Sequence, residues 1–458
     1  MSYGIMRLAA NTLLAQQTAM QVVGHNIANA ETDGYVRQVA VMEPIPGATH
    51  GTVASAIGQG ARISTIKRLQ HAFIAIQTDR QAALLGREAA TEDMLSQVEA
   101  VYTEFTETGI VDNLGLMFNA FEAIGTDPTS LAARQETVVR AELLADIIRD
   151  RQQSLYSLRT DADERLSDNV AEANRLAYEI ADLNKKIGAA GSDAVVNDLK
   201  GLREAAMSQL AELTGAYCLE QPNDQVDVMI GGRRMVQLAE VTELSVQLDP
   251  TNPGMHKLCL GSVEDPEGLG GTVMGLIDAR DGQIMDYLDR MDTFAATLAD
   301  EINALHTAGF DLNGTAGVDF FTYNPDSPAS TLQVNPAIAA DPELIAAARD
   351  ASAVGDGSNA SAIALLRDTK IFAGGLLNPT EYYADLIAQV GTDTKAAADM
   401  VLARESVVES LRANYQALSG VSLDEEAVDL LRYQQVYNAA AHLLQTSIEL
   451  MDTLFAIS

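Results

Sequence analysis

The chain has 458 residues, 47% of them hydrophobic, enough to bury more than one core and to suggest two to four domains. Acidic residues outnumber basic ones 64 to 30, giving a formal charge of -34 that repels phosphate backbones and anionic lipid surfaces, so nucleic acid and membrane are poor partners. The two cysteines, Cys218 and Cys259, fit no metal-ligand spacing; no zinc site is implied, and whether they pair is left open.

The first residues lead into a polar-striped helix, unlike the apolar core of a secretory signal, and no apolar run approaches the roughly 18 residues of a membrane span. Met6, Ala9, Leu13, Gln16, Met20, Val23 and Ile27 step by threes and fours along one face, broken only by Gln16. A second row of Ile5, Leu8, Ala15, Ala19 and Val22 widens that face, which calls for neighbours on more than one side. Asn26 and Asn29 then offer side chains to a helix end, and Gly34 permits a turn that re-aims the chain at Tyr35.

Helical tracts rich in Ala, Leu, Glu, Gln and Arg follow over 69–105, 130–187 and 195–213, and look like a bundle. From about 217 to 271 the period changes to two. Val226, Val228 and Ile230, then Gly231-Gly232, then Val236 and Leu238 read as a hairpin; Leu244, Val246 and Leu248 alternate before the turn-rich 249–254, with Leu258 and Leu260 beyond it. Helical spacing returns with Ile284, Leu288, Met291, Ala295, Leu298, Ile302 and Leu305, stopped by Gly309.

The last segment repeats the device of the first. Leu423, Ala427, Leu430, Gln434, Tyr437, Ala441, Leu444, Ile448, Met451 and Phe455 step by four and three, and Ser422 with Glu425 makes a capping-box pattern that starts the helix near Leu423. The reading is a mainly α chain with a small antiparallel β domain, elongated and out-and-back. Residues 1–60 and 415–458 form a terminal coiled-coil assembly domain, 61–215 and 272–414 a helical bundle, and 216–271 a β-rich insert. Apolar stripes at both ends point to packing of the ends on each other or on other copies.

Constellations for catalysis are missing: no HExxH, no phosphate loop, no nucleophile elbow, and the Gly268, Gly270, Gly271 cluster lacks a strand–turn–helix setting. Asp311, Asn313, Gly314 and Asp319 alternate oxygen donors around a glycine, yet no Glu follows at the spacing of a calcium loop. An Asx turn leading to a buried Phe320 and Phe321 is the better reading. No cofactor and no enzyme activity are expected.

The segment Asn26-Ile-Ala-Asn-Ala-Glu-Thr-Asp-Gly-Tyr-Val-Arg-Gln38 resembles the signature of flagellar rod, hook and hook-associated proteins, here with Glu31 and Asp33 where asparagine and proline are usual. Three further stretches are similar to the hook-associated members that join hook to filament: Ala308-Gly-Phe-Asp-Leu-Asn-Gly314 with Asp319-Phe-Phe321, Gly355-Asp-Gly-Ser-Asn-Ala360, and Ser419-Gly-Val-Ser-Leu-Asp-Glu-Glu426 with Leu431-Arg-Tyr-Gln-Gln-Val-Tyr437 and Leu444-Gln-Thr446. The resemblance spans nearly the whole chain, weakens across the β insert, and leaves between Phe321 and Asp341 no room for the outer domain of larger members.

This resemblance implies a structural part of the extracellular flagellum that polymerises at the hook tip. It implies as partners other copies of the chain, the hook protein, a second junction protein, and an export chaperone on the C-terminal region, with secretion by the flagellar type III route and no Sec signal. Met6, Leu13, Met20, Val23, Ile27, Leu423, Leu430, Tyr437, Leu444, Ile448, Met451 and Phe455 are the candidate assembly seam; Asn26, Asn29, Thr32, Gly34 and Tyr35 are the candidate motif residues. The alternatives are another axial subunit, from hook or distal rod, and less favoured, a secreted coiled-coil adhesin or metal-dependent enzyme.

Overall fold

The computed structural model describes residues 2–32, 34–46, 58–102 and 109–457, with side chains for all of these except 2, 3, 223 and 454–457. Helix α1 (Ser2–Ala28) leads to an antiparallel hairpin of β1 (Gln38–Pro44) and β2 (Ala61–Arg68), then α2 (Ala72–Tyr102), α3 (Ile110–Thr126), α4 (Leu131–Ala189) and α5 (Asp193–Thr214). The expected break at residue 60 falls inside that hairpin, whose two strands the sequence reading left unassigned. Phe105, the expected end of the second helical tract, lies outside the described residues.

Helix α4 runs for 59 residues because a long apolar stripe carries it, and Ser130 caps its start by accepting the Ala133 N–H at 3.3 Å. Leu144, Ile148, Leu155, Ala162, Leu166, Ala173 and Ile180 lie along its covered side. Arg134 near its start is 1% exposed; its guanidinium donates to the carbonyls of Pro128, at 2.8 and 2.9 Å, and of Ile345 at 2.6 Å.

The β insert is two small antiparallel sheets. One orders β3 (Tyr217–Glu220), β4 (Val226–Ile230), β5 (Arg233–Gln237) and β6 (Glu240–Val241). The other orders β7 (Leu244–Leu248), β8 (His256–Leu260) and β9 (Val263–Glu264). The expected hairpin is present, with Val228 opposite Val236 across the Gly231-Gly232 turn. Cys218 and Cys259 stand in different sheets and are both free, and burial pushes the Cys218 thiol up to about 12. The glycine cluster closes the insert: Gly270 N–H reaches the Thr214 carbonyl at 3.0 Å, so the strands of chain entering and leaving run side by side. A Cβ on Gly271, at φ +65°, would stand 2.3 Å from the Glu212 carbonyl oxygen.

Beyond the insert come α6 (Gly271–Asp278), one π-helical turn over Ala279–Gln283, and α7 (Ile284–Thr307). Ile284, Leu288, Met291, Ala295, Leu298 and Ile302 are buried along α7 at their expected spacing. The 308–360 region carries β10 (Phe321–Thr322), α8 (Pro328–Thr331), β11 (Gln333–Val334), α9 (Pro336–Ala340) and α10 (Ser358–Ala364). Asp311 Oδ1 accepts the N–H of Asn313 and of Thr315, each at 2.8 Å, an Asx turn that delivers Phe320 and Phe321 into the core.

Helix α11 (Pro379–Ser419) returns along α2, capped by Asn378 and Glu381 in a reciprocal box, and α12 (Leu423–Ile457) returns along α1. The chain is therefore mainly helical, out and back, with a small antiparallel β insert and long terminal helices.

Candidate assembly interface

Helix α1 packs against α12, running antiparallel to it, and against the β1–β2 hairpin; Ala19, Val22 and Ala40 form a small core with Met42, Ile63 and Ile66 of the hairpin and Tyr433 of α12. This is the physical reason for two apolar rows on α1. Small residues dominate the contact, with Ala9, Ala15, Ala19, Val22 and Val23 buried, so the elements approach closely. Gln16, the break in the stripe, is buried with its Nε2 on the Met42 sulfur at 3.8 Å.

Of the stripe residues on α1, Val23 is buried, Met6, Leu13 and Met20 are half-buried, and Ile27 is exposed. On α12, Leu430, Tyr437, Leu444 and Met451 are half-buried, while Leu423 and Ile448 are 54% and 45% exposed. The side chain of Phe455 lies outside the described residues. The covered residues of α12 form a heptad row of their own: Glu426, Leu430, Tyr433, Tyr437, Ala440, Leu444, Ser447 and Met451. It shares Leu430, Tyr437, Leu444 and Met451 with the expected stripe, but its other members sit one residue earlier, so Ala427, Gln434 and Ile448 are turned outward.

The motif after α1 is a knot of hydrogen bonds centred on Asn26, which is 1% exposed. Its amide exchanges two bonds with the backbone of Gln38, Nδ2 to the carbonyl at 2.8 Å and Oδ1 from the N–H at 3.0 Å, as a neighbouring strand would. Its Oδ1 also accepts the Tyr35 hydroxyl at 2.9 Å. Its Nδ2 reaches Glu426 Oε2 at 3.0 Å, across 400 residues of chain. Burial first, then the charges of Asp198 and Glu426, push the Tyr35 phenol up to about 12, so it stays a neutral donor. Asn29 Nδ2 holds the helix-end carbonyl of His25 at 2.9 Å, Thr32 contacts Asn29, and Gly34 takes φ +72°, a left-handed turn that a side chain resists.

Arg37 completes the knot. Its Nε donates to Glu426 Oε1 at 2.6 Å, its two terminal nitrogens to Glu425 and Asp429, and its backbone N–H to the Ser419 carbonyl at 2.9 Å. One arginine thus holds two of the three acidic residues in the first turn of α12, Glu425 and Glu426, and Asp429 one turn on, at the helix end where the dipole favours negative charge. The hairpin ties this layer to the body through Arg68, bidentate on Glu204 at 2.5 and 2.7 Å, and through Gln38 on Asp198. Arg37, Gln38, Glu426 and Glu204 were not singled out from the sequence; Ser422-Leu-Asp-Glu-Glu426 read only as a helix start, and its cap is present, with Ser422 Oγ 3.5 Å from the Glu425 nitrogen.

Among the described residues no group of three or more His, Cys, Asp or Glu is placed to hold a metal, and no described helix is long and apolar enough to cross a membrane.

Residues 95–321 match the family model described as the flagellar hook-associated protein FlgK helical domain. Residues 6–35 match that of the flagella basal body rod protein, and 412–457 that of the flagellar basal body rod FlgEFG protein C-terminal region. Flagellar hook-associated protein 1 of Bacillus subtilis (strain 168) is 24% identical, with 97% of this chain and 96% of that one aligned. That of Salmonella typhimurium is also 24% identical, over 98% of this chain and 99% of that one. The chain belongs to the flagellar hook-associated protein family. A hook junction protein FlgK from Burkholderia pseudomallei shares the fold, with a TM-score of 0.68 over 75% of this chain and all of that one at 14% identity. As a flagellar hook-associated protein it is a structural component of the extracellular flagellum. In this hook-associated chain the two rod-type segments, first and last in sequence, are the two that the Asn26–Arg37–Glu426 knot joins in space.

Proposed function

We propose that the chain polymerises at the tip of the hook and forms the junction between hook and filament, using the α1–α12 pair as its assembly surface. The observation that carries this reading is the number of large apolar side chains that α1 and α12 leave exposed around their free surfaces: Ile5, Leu14 and Ile27 on one, Leu423, Val428, Leu431, Leu443, Ile448 and Leu450 on the other. Fully covering a leucine or isoleucine is worth about 1.5–3 kcal/mol, so a handful of these between copies drives association.

On this reading the partners are other copies of the chain, the hook protein below and a second junction protein above. The chain leaves the cell unfolded by the flagellar type III route, with a chaperone on its C-terminal region, and carries out no catalysis. Its division of labour follows the three parts expected from sequence: ends for assembly, helical bundle as body, β insert outermost. A hook or distal-rod subunit is the second reading, favoured by the rod-type matches at both ends; the helical-domain match over 95–321 weighs for the junction.

Deleting residues 423–458 tests the reading. The truncated chain is expected to keep the helical content and melting of its body and to fail to support filament growth. A truncated chain that still supports filaments would overturn the assembly role of α12.

A further inference from the structure

The two edges of the α12 stripe differ in composition. The covered edge is Glu426, Tyr433, Ala440 and Ser447; the other edge is Ala427, Gln434 and Ile448, all exposed, with Ala441 half-buried, extended by Leu423. Glu426 and Ser447 are 1% and 2% exposed while Ile448 is 45% exposed. Covering Ile448 and Ala427 in place of Ser447 and Glu426 would need α12 to turn about its own axis by about 50°, half the step between adjacent helix residues. The shared residues Leu430, Tyr437, Leu444 and Met451 stay in the seam either way, so within the seam the turn is opposed chiefly by the packing of Tyr433 on Ala19, Val22 and Ala40. The shared half-buried side chains, present in both settings, specify rotation weakly.

We propose that Glu426 is a positioning residue: held by Arg37 and Asn26, it sets the rotation of α12 on α1 and keeps the Ile448 edge turned outward. The geometry is specific to one setting. Both Glu426 oxygens are taken, Oε1 by Arg37 Nε at 2.6 Å and Oε2 by Asn26 Nδ2 at 3.0 Å, and both donors are themselves fixed, Arg37 by its backbone bond to Ser419 and Asn26 by two bonds to Gln38. Turning α12 outward here would strip a buried carboxylate of its two donors, a cost larger than the gain from covering Ile448 and Ala427. The setting itself does not depend on polymerisation; that the outward edge is thereby presented to another copy rests on the function proposed above.

The test is crosslinking in the full-length chain with C218S and C259S. Two reporter pairs are compared by direct disulfide formation under a mild oxidant: Ala19→Cys with Tyr433→Cys, which touch in the observed setting, and Ala19→Cys with Gln434→Cys, which report the turned one. With Glu426 intact the first pair should dominate. E426Q, which keeps shape and removes charge, should move the ratio toward the second pair by about tenfold or more. R37Q should do the same, the R37Q/E426Q double variant should go no further than either single one, and R37K should stay near the starting ratio. An unchanged ratio in E426Q and R37Q overturns the proposal. So does a parallel loss of both crosslinks with the body still helical by circular dichroism, because α12 would then be held by the latch and not steered by it. Failure of the filament assay with the ratio shifted as stated would leave the positioning role standing and count against the polymerisation reading alone.

Discussion

The helical body and the terminal layer use the same heptad device and reach different ends. In the body, α7 buries Ile284, Leu288, Met291, Leu298 and Ile302 completely, and Phe294 lies in an aromatic group with Phe372, Tyr382 and Tyr383. In the terminal layer, α12 buries a glutamate, an alanine and a serine, and leaves leucines and an isoleucine in water. The body has a large core that closes within one chain, although Phe73, Leu365, Leu376 and Leu402 stay exposed on its surface. The terminal pair is placed by ion pairs and amide hydrogen bonds and is left with apolar surface to spare, the arrangement of a part finished by something outside the molecule.

The sharpest way to break this comparison is to damage the body. Phe294→Ala removes a fully buried ring with three aromatic neighbours, and should cost about 3–5 kcal/mol of body stability by denaturant unfolding. If the loss were as small as that of a surface change, the body would not be the self-sufficient unit described.

Acid offers a second separation. His306 is 0% exposed; its Nδ1 faces the Val318 carbonyl and its Nε2 accepts the Ala346 N–H at 2.9 Å, which leaves no lone pair for a second proton. Burial, opposed by the Val318 carbonyl and aided by Arg134, lowers its pKa to about 4 from the ordinary 6.5. The unfolded chain therefore binds a proton below about 6.5 that the folded chain refuses until about 4. The contribution is complete above pH 6.5 and declines as pH falls toward 4, by about 3 kcal/mol in all. Denaturant unfolding at pH 7 and pH 4.5 should show this slope, and H306Q should flatten it while being less stable at pH 7.

How much of this was legible in the sequence depended on the range of the cause. The α12 start at Ser422 and Leu423, the Gly231-Gly232 hairpin, the α7 heptads and the Asx turn at Asp311 all rest on residues within a few positions of each other, and each formed as read. The β1–β2 hairpin was missed although Val39 and Val41 alternate, because the register shift at Val41/Met42 breaks the period opposite Ile63 and Ile66 and the connection is long and carries no two-residue turn signal. Helix α11 announced itself through Asn378-Pro-Thr-Glu381, a capping box with proline at the first helical position, a signal that was present and unused. The rotation of α12 was beyond reach: hydrophobic spacing pointed to Ala427, Gln434, Ala441 and Ile448, and what overrides it is Arg37, whose bond to Glu426 spans 389 residues.

The smallest expected effect is the most discriminating. Ile448→Ser replaces an exposed apolar side chain that no neighbour in the chain covers well, so unfolding of the monomer should change by no more than about 0.5 kcal/mol. Were Ile448 simply a surface residue, nothing else would follow. If instead the outward edge of α12 is covered by another copy, the same substitution removes buried apolar area from every contact of a repeating assembly and places a hydroxyl there. Sedimentation or light scattering of the purified chain over a concentration series should then show association weakened several-fold while denaturation curves overlay. Equal association with overlaid denaturation curves would place Ile448 outside the contact, and a large shift in denaturation would mean that the edge is already covered within the single chain.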